Sequence, residues 1–537
     1  MSTHEPSQPE YLGAGSTPPE PDETAPKPAR GRRTGLVAAA AVAVVAAVGA
    51  CTYGMVQLLS GGSSAATAVP ADAVAYVSLD LDQTASQKIE AFKILRKFPA
   101  IKKELGSRDD IRKAVFEEIR KDDGCADLDY AKDVEPWIGD RVAVAAVPDS
   151  KQGAAPLVVL QVTDQEKAKA GARAIESCGP DASDQEPSHT GITFVGDYML
   201  LAETQREADA FAKDAEAGTL ADSDEFTAAM ERTGEPGIVT MYVSKDAPRA
   251  LATAVAQDSA VGSDNGTRDQ IDQLEKTFKD FGGAAGVVRF RDGAVEAEFA
   301  AQGLPSTMGG GTGAGPDTGT LPGTTAAAFS VAFRDGWLED YLRQMNAMSG
   351  SQETLDDMLA EGEQATGLQL PEDIETLLGD GITVSVDSSA DIEAFMSSPD
   401  PSKLPAGIRI QGDPDKIVPI IDKLKAVAGP DADLVKVATG DGQVAVGLSQ
   451  AYVDTLLEKG NLSSVTAFDT VVPDADRATG SLYVNFDAGD GWAEQLADAL
   501  SDGDAEARSN IAPLDALGLS GWSDGDVEHG LLRLTTD

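Results

Sequence analysis

The chain has 537 residues, too many for one ordinary core, and its 42% hydrophobic and 25% charged residues are those of a folded rather than a disordered protein. A formal net charge of −46 repels the phosphates of DNA and RNA and excludes a nucleic-acid partner. Histidine is nearly absent, with only His4, His189 and His529 in the chain, which leaves little room for histidine-dependent catalysis or a zinc centre.

Residues 1–34 are rich in Pro, Glu, Ser and Thr, lack apolar periodicity and read as a disordered cytoplasmic tail. Residues 35–59 carry no charge. As a helix, a stretch of that length rises roughly 36 Å, enough to cross a hydrocarbon core about 30 Å thick. Lys27, Arg30, Arg32 and Arg33 precede it, and no Lys or Arg follows until Lys88. The positive-inside rule then predicts a single-pass membrane protein with a cytoplasmic N-terminus and an extracytoplasmic C-terminal domain. A cleaved signal peptide and a lipoprotein lipidated at Cys51 are the rival readings. The long leader before the apolar run and its continuation through Leu58 and Leu59 favour an uncleaved anchor. Residues 60–69 read as a flexible tether of roughly 17 Å.

From Pro70 onward, short apolar strands alternate with helices. The segment Lys88 to Lys103 is basic in an acidic chain: Lys88, Lys93, Arg96, Lys97, Lys102 and Lys103 interleave with Phe92, Leu95 and Phe98. It predicts either a face for anionic lipid or wall polymer, or a core-facing helix whose lysines are neutralised by acidic surroundings. Asp122, Asp123, Asp127, Asp129 and Asp133 lie around Cys125 but lack the register of a calcium loop. Cys125 and Cys178 are the one cysteine pair beyond the apolar segment. In an exported domain they are expected to form a disulfide rather than stay as two thiols.

The order of elements repeats. Ala73–Leu79, Val134–Asp140, Pro156–Val162 and Val239–Val243 have counterparts in Ala326–Phe333, Ile374–Asp380, Ala406–Gln411 and Ser481–Val484. Asp292-Gly293 and Asp524-Gly525 mark matching hairpins. The expected fold is therefore α+β: two tandem related domains, 70–302 and 324–537, each a mainly antiparallel sheet with helices on one face, after one transmembrane helix. Residues 303–323 read as a Gly-rich linker. Within it, Gly309–Gly315 is similar to the phosphate loop of tubulin-like GTPases, but no helix pattern follows to complete such a site.

Three strings taken together, Pro70–Asp80, Gln87–Ala100 and Val134–Arg141, resemble a family of actinobacterial membrane-anchored proteins defined only as a domain of unknown function. The resemblance covers nearly the whole ectodomain. It implies the same topology and recurrent cysteines at Cys125 and Cys178, and it brings no activity, cofactor, metal or catalytic residue. The leading expectation is a non-catalytic binding or scaffolding domain, with anionic lipid, a wall polymer or a membrane protein as partner. A carrier of lipid or another hydrophobic ligand, and a carboxylate-dependent wall hydrolase, are the alternatives.

Overall fold

The computed structural model describes residues 64–81, 85–99, 112–113, 128–149, 153–176, 190–257, 275–304, 315, 318–349, 352–391, 400–489, 492, 495 and 504–537. Its centre is one antiparallel sheet of sixteen strands. The elements run β1 (Ala75–Asp80), α1 (Ala85–Leu95), β2 (Ile138–Asp149), β3 (Gly153–Val162), α2 (Gln165–Glu176), β4 (Gly191–Val195), β5 (Tyr198–Ala202), α3 (Gln205–Ala217), α4 (Asp224–Glu231), β6 (Val239–Val243), α5 (Ala247–Gln257), β7 (Gly283–Arg291) and β8 (Ala294–Gln302). They continue with β9 (Thr325–Ala332), α6 (Trp337–Ser349), α7 (Gln352–Thr366), α8 (Glu372–Leu378), β10 (Gly381–Asp387), β11 (Ala406–Gln411), α9 (Pro414–Ala428), β12 (Lys436–Gly440), β13 (Gln443–Gly447), α10 (Gln450–Leu457), α11 (Thr466–Val471), β14 (Gly480–Asn485), α12 (Ala505–Ile511), β15 (Leu514–Asp524) and β16 (Val527–Thr536).

The strand order is β12-β13-β11-β10-β9-β14-β15-β16-β8-β7-β6-β1-β2-β3-β5-β4. Read outward from the β8–β16 pair, the two halves place corresponding strands in the same sequence. The two sheets expected from the sequence are thus one, joined where Glu296 of β8 lies opposite Arg533 of β16. Hairpin chemistry supports the register: Asp292 and Gly293 sit at φ 53° and 77° between β7 and β8, as a two-residue hairpin turn requires.

Side-chain alternation gives the sheet two faces. One face carries Tyr76, Leu157, Leu200 and Tyr242 under α3 and α4, and Tyr483, Ala328 and Ala445 under α10 and α11. Phe226 meets Tyr76 and Tyr242 edge-on, and Phe468 meets Tyr483 in the same way. Helix α3 is fixed at its start by a reciprocal Thr204–Glu207 cap, which satisfies two otherwise orphaned backbone donors. Among the described residues the opposite face is covered only in part. Ala91, Ile94 and Leu95 of α1 pack on Val288 and Phe290, and Ala168 of α2 joins Trp137, Val162 and Met199. At the far end Ile417 and Ile421 of α9 pack on Ile410 and Val444.

Several expectations change. Ala65, Ala66, Ala68 and Val69, read as tether, form a buried turn in the core. Within the segment read as linker, Leu321 is buried, and Thr318 is buried with its hydroxyl bonded to Ser330 and Ser481 at 2.8 and 2.9 Å. The Cys125–Cys178 disulfide does not form, because no two cysteine sulfurs lie at bonding distance. A bridge needs Cα atoms about 4.4–6.8 Å apart, and pairing two cysteines by parity carries no such distance. Both cysteines, the 35–59 segment and the Gly309–Ala314 stretch lie outside the described residues. Among the described residues no helix is long and apolar enough to cross a membrane.

Candidate functional site

Large apolar residues alternate with small or polar ones along the central strands: Phe329 and Val331 flank Ser330, Ile408 and Ile410 flank Arg409, and Leu517 and Leu519 flank Gly518. That pattern sends the bulky side chains to the partly covered face. Across the strands they fall into line. Leu519 lies opposite Leu482, Leu482 opposite Phe329, Phe329 opposite Val384, and Val384 opposite Ile408. Leu519 is 41% exposed, Phe329 48%, Val384 36% and Ile408 38%. A lone exposed leucine is ordinary, but a contiguous apolar row on a sheet marks an interaction surface.

The adjacent row on the same face is almost without side chains. Gly286 pairs with Phe299, Phe299 with Gly530, Gly530 with Gly521, and Gly521 with Gly480. A Cβ on Gly530 would meet no atom within 4 Å, and one on Gly521 would find its nearest neighbour at 3.6 Å. Glycine inside a strand weakens it and often marks a place where another molecule comes close to the backbone. Phe299 rises from this trough 40% exposed. Beside it lies an apolar cavity of about 430 Å³ lined by Val77, Met241, Val243, Gly286, Phe299 and Gly530. From β8 to β11 the open face crosses six strand spacings, roughly 29 Å. The strands carrying it were read from the sequence, but the row was not. The signal available was the alternation itself, in which small and polar residues such as Ser330 and Arg409 take the helix-covered face and the bulky apolar ones take the other.

Beneath this seam, on the helix-covered face, lies a buried ionic cluster. Arg289 donates from Nε to Glu296 at 2.6 Å, pairs with Glu298, and caps the carbonyls of Thr233 and Glu235 at 2.9 and 2.8 Å. Arg533 reaches the other oxygen of Glu296 at 3.1 Å and the carbonyl of Thr470 at 2.7 Å. Burial works against the Arg289 charge, but Glu298 and Glu296 more than offset it and hold its pKa above the ordinary value.

The basic helix is placed in part. Lys93 of α1 and, in the turn that ends it, Arg96 and Lys97 are exposed, while the buried stripe of α1 faces the sheet. Lys97 donates to the carbonyl and hydroxyl of Thr536 at 2.9 and 3.0 Å. The Lys88 side chain, Lys102 and Lys103 lie outside the described residues, as do His4 and His189. His529 stacks on Trp522 at 5.1 Å, with Arg477 over the far ring at 4.2 Å. Burial holds its pKa below the usual histidine range. Among the described residues, the carboxylates that gather closely enough to share an ion are Asp487, Asp515 and Asp537. Burial first, then the charges of Asp537 and Asp515, raises Asp487. This trio is open to solvent at Asp487 and Asp537 and lines none of the cavities described here.

One family model, described as protein of unknown function (DUF3352), matches residues 36–386. No curated protein matches. One solved structure, titled as crystal form I of TP0453, aligns with 45% of this chain and 80% of its own at 10% identity and a TM-score of 0.20, too loose a superposition to carry an argument.

Proposed function

We propose that this chain, which belongs to the family described as protein of unknown function (DUF3352), binds a lipid or another long apolar ligand on the open face of its sheet. The observation that carries this is the exposed Leu519–Leu482–Phe329–Val384–Ile408 row beside a glycine trough and a nearly apolar cavity. Ligand sites are concave and mostly apolar, of about 300–1,000 Å³, and this cavity has that size and lining. A scaffolding role would not need a groove.

The matching strand order of the two halves supports an ancestral duplication of one α+β unit, with residues 70–302 and 324–537 as its copies. The uncharged 35–59 segment supports a membrane anchor with the sheet on the outer side. There the groove would take its ligand from the outer leaflet. Exposed Lys93 and Arg96 at the end of α1 suit contact with anionic headgroups.

The test is native mass spectrometry of the full chain, extracted from membranes in mild detergent. Retained lipid in wild type, lost when Phe299 and Phe329 are both replaced by Asp, supports the proposal. Equal lipid on both proteins, or none on wild type after reconstitution with its own membrane lipids, defeats it.

A further inference from the structure

A second cavity lies at the strand ends beyond the apolar row, where the β9–α6, α8–β10 and β11–α9 connections meet. It measures about 510 Å³ and is lined by Phe333, Asp335, Trp337, Glu375, Asp380 and Lys416 among others. The corresponding strand ends of the first half carry paired charges. There Asp80 lies opposite Arg141, and the two form an ion pair at 2.9 Å, while Arg112 reaches Asp140 at 3.4 Å. In the second half the same register places Ala332 opposite Gly381. The backbone is otherwise alike: Leu81 N donates to Asp140 O at 3.0 Å, and Phe333 N donates to Asp380 O at 2.9 Å. Asp380 therefore keeps the position of Asp140 without an arginine paired to it among the described residues.

The cavity's own cations are already committed. Arg334 pairs with Asp340, and Lys416 lies 3.7 Å from Asp413. Asp413 also caps α9, and Glu375 accepts from Leu338 N at 3.2 Å. Asp335 and Asp380 are exposed and have no ion-pair partner among the described residues. An aromatic wall completes the site: Phe333 and Trp337 stack at 4.6 Å with an 18° interplanar angle. The indole N–H of Trp337 is buried and donates to nothing among the described residues.

We propose that this cavity binds an organic cation, a primary amine or guanidinium. The two uncompensated carboxylates attract the charge, and the Trp337 ring offers a cation–π surface. A bare metal ion fits less well. No three carboxylates of this cavity gather within 4.8 Å of one another as those of Asp487, Asp515 and Asp537 do among the described residues. The cation could belong to a free polyamine or to a basic peptide side chain, and the probes separate these sources.

The full chain in detergent is titrated calorimetrically with spermidine and, separately, with a tri-lysine peptide, with calcium chloride as competitor. The expected result is saturable, salt-sensitive binding of at least one probe, unaffected by calcium. It should weaken at least tenfold in Asp335→Asn/Asp380→Asn, whose exposed positions leave the fold intact, and weaken in Trp337→Phe. Spermidine alone would assign a free polyamine, and the peptide alone a protein or wall-peptide partner. No saturable binding of either probe, equal binding by the double variant, or displacement by calcium would overturn the proposal. No residue of the apolar row lines this cavity, so its failure leaves the lipid reading standing.

Discussion

Truncating Phe329 to Ala separates the ligand surface from the fold. A phenylalanine side chain presents about 150–250 Å². With 48% of Phe329 exposed, roughly 90 Å² is open for a ligand to cover. At about 25 cal/mol per Å² that is ~2 kcal/mol, or roughly 30-fold in Kd. The fold loses less, because Phe329 supports it mainly through cross-strand contacts with Leu482 and Val384, each worth about 0.2–1 kcal/mol. A control of similar stability cost is Thr204→Ala. It breaks the cap of α3 on the other face and should lower unfolding free energy by ~1 kcal/mol. The assay is titration of a fluorescent fatty acid into the full chain held in membrane patches, with empty patches subtracted and urea unfolding run in parallel. The expected pattern is a loss of binding near 30-fold for Phe329→Ala and none for Thr204→Ala. Equal binding losses in the two variants, or less than threefold for Phe329→Ala, would refute the reasoning.

Glu296→Gln leaves Arg289 and Arg533 buried without their shared carboxylate and should cost about 3–5 kcal/mol, read as a fall in the urea midpoint. His529 is held neutral by burial, so its folded pKa lies below its unfolded one. Between those two values the unfolded chain binds more protons, and stability should fall as pH drops through about 6.5 toward the folded pKa. In His529→Phe, which keeps the stack on Trp522, the midpoint difference between pH 8 and pH 5.5 should shrink. Denatured chain treated with a maleimide, without prior reduction, should show Cys125 and Cys178 both modified, in keeping with the absent bridge.

The fold class was legible because strand alternation and the Asp-Gly hairpins at 292–293 and 524–525 are local signals. The continuity of the sheet was not. It depends on β8 pairing with β16, more than two hundred residues away, and on an Arg–Glu–Arg cluster whose members are unremarkable in an acidic chain. The open apolar row was hidden for a related reason. Phe329, Ile408 and Leu519 each look like ordinary strand residues, and only the register sets them side by side. The disulfide failed because a count of cysteines holds no geometry. Along α1, Leu95 lies in the core and Lys93 in solvent.

Photo-crosslinking tests the central claim most directly. Membranes carrying the full chain are loaded with a lipid bearing a diazirine in its acyl chain, irradiated, and the adducts mapped by peptide mass spectrometry. Adducts concentrated on β8, β9, β14 and β15 around Phe299, Phe329, Leu482 and Leu519 are the predicted result. Adducts confined to the apolar segment at 35–59, or spread evenly over the helices, would contradict it.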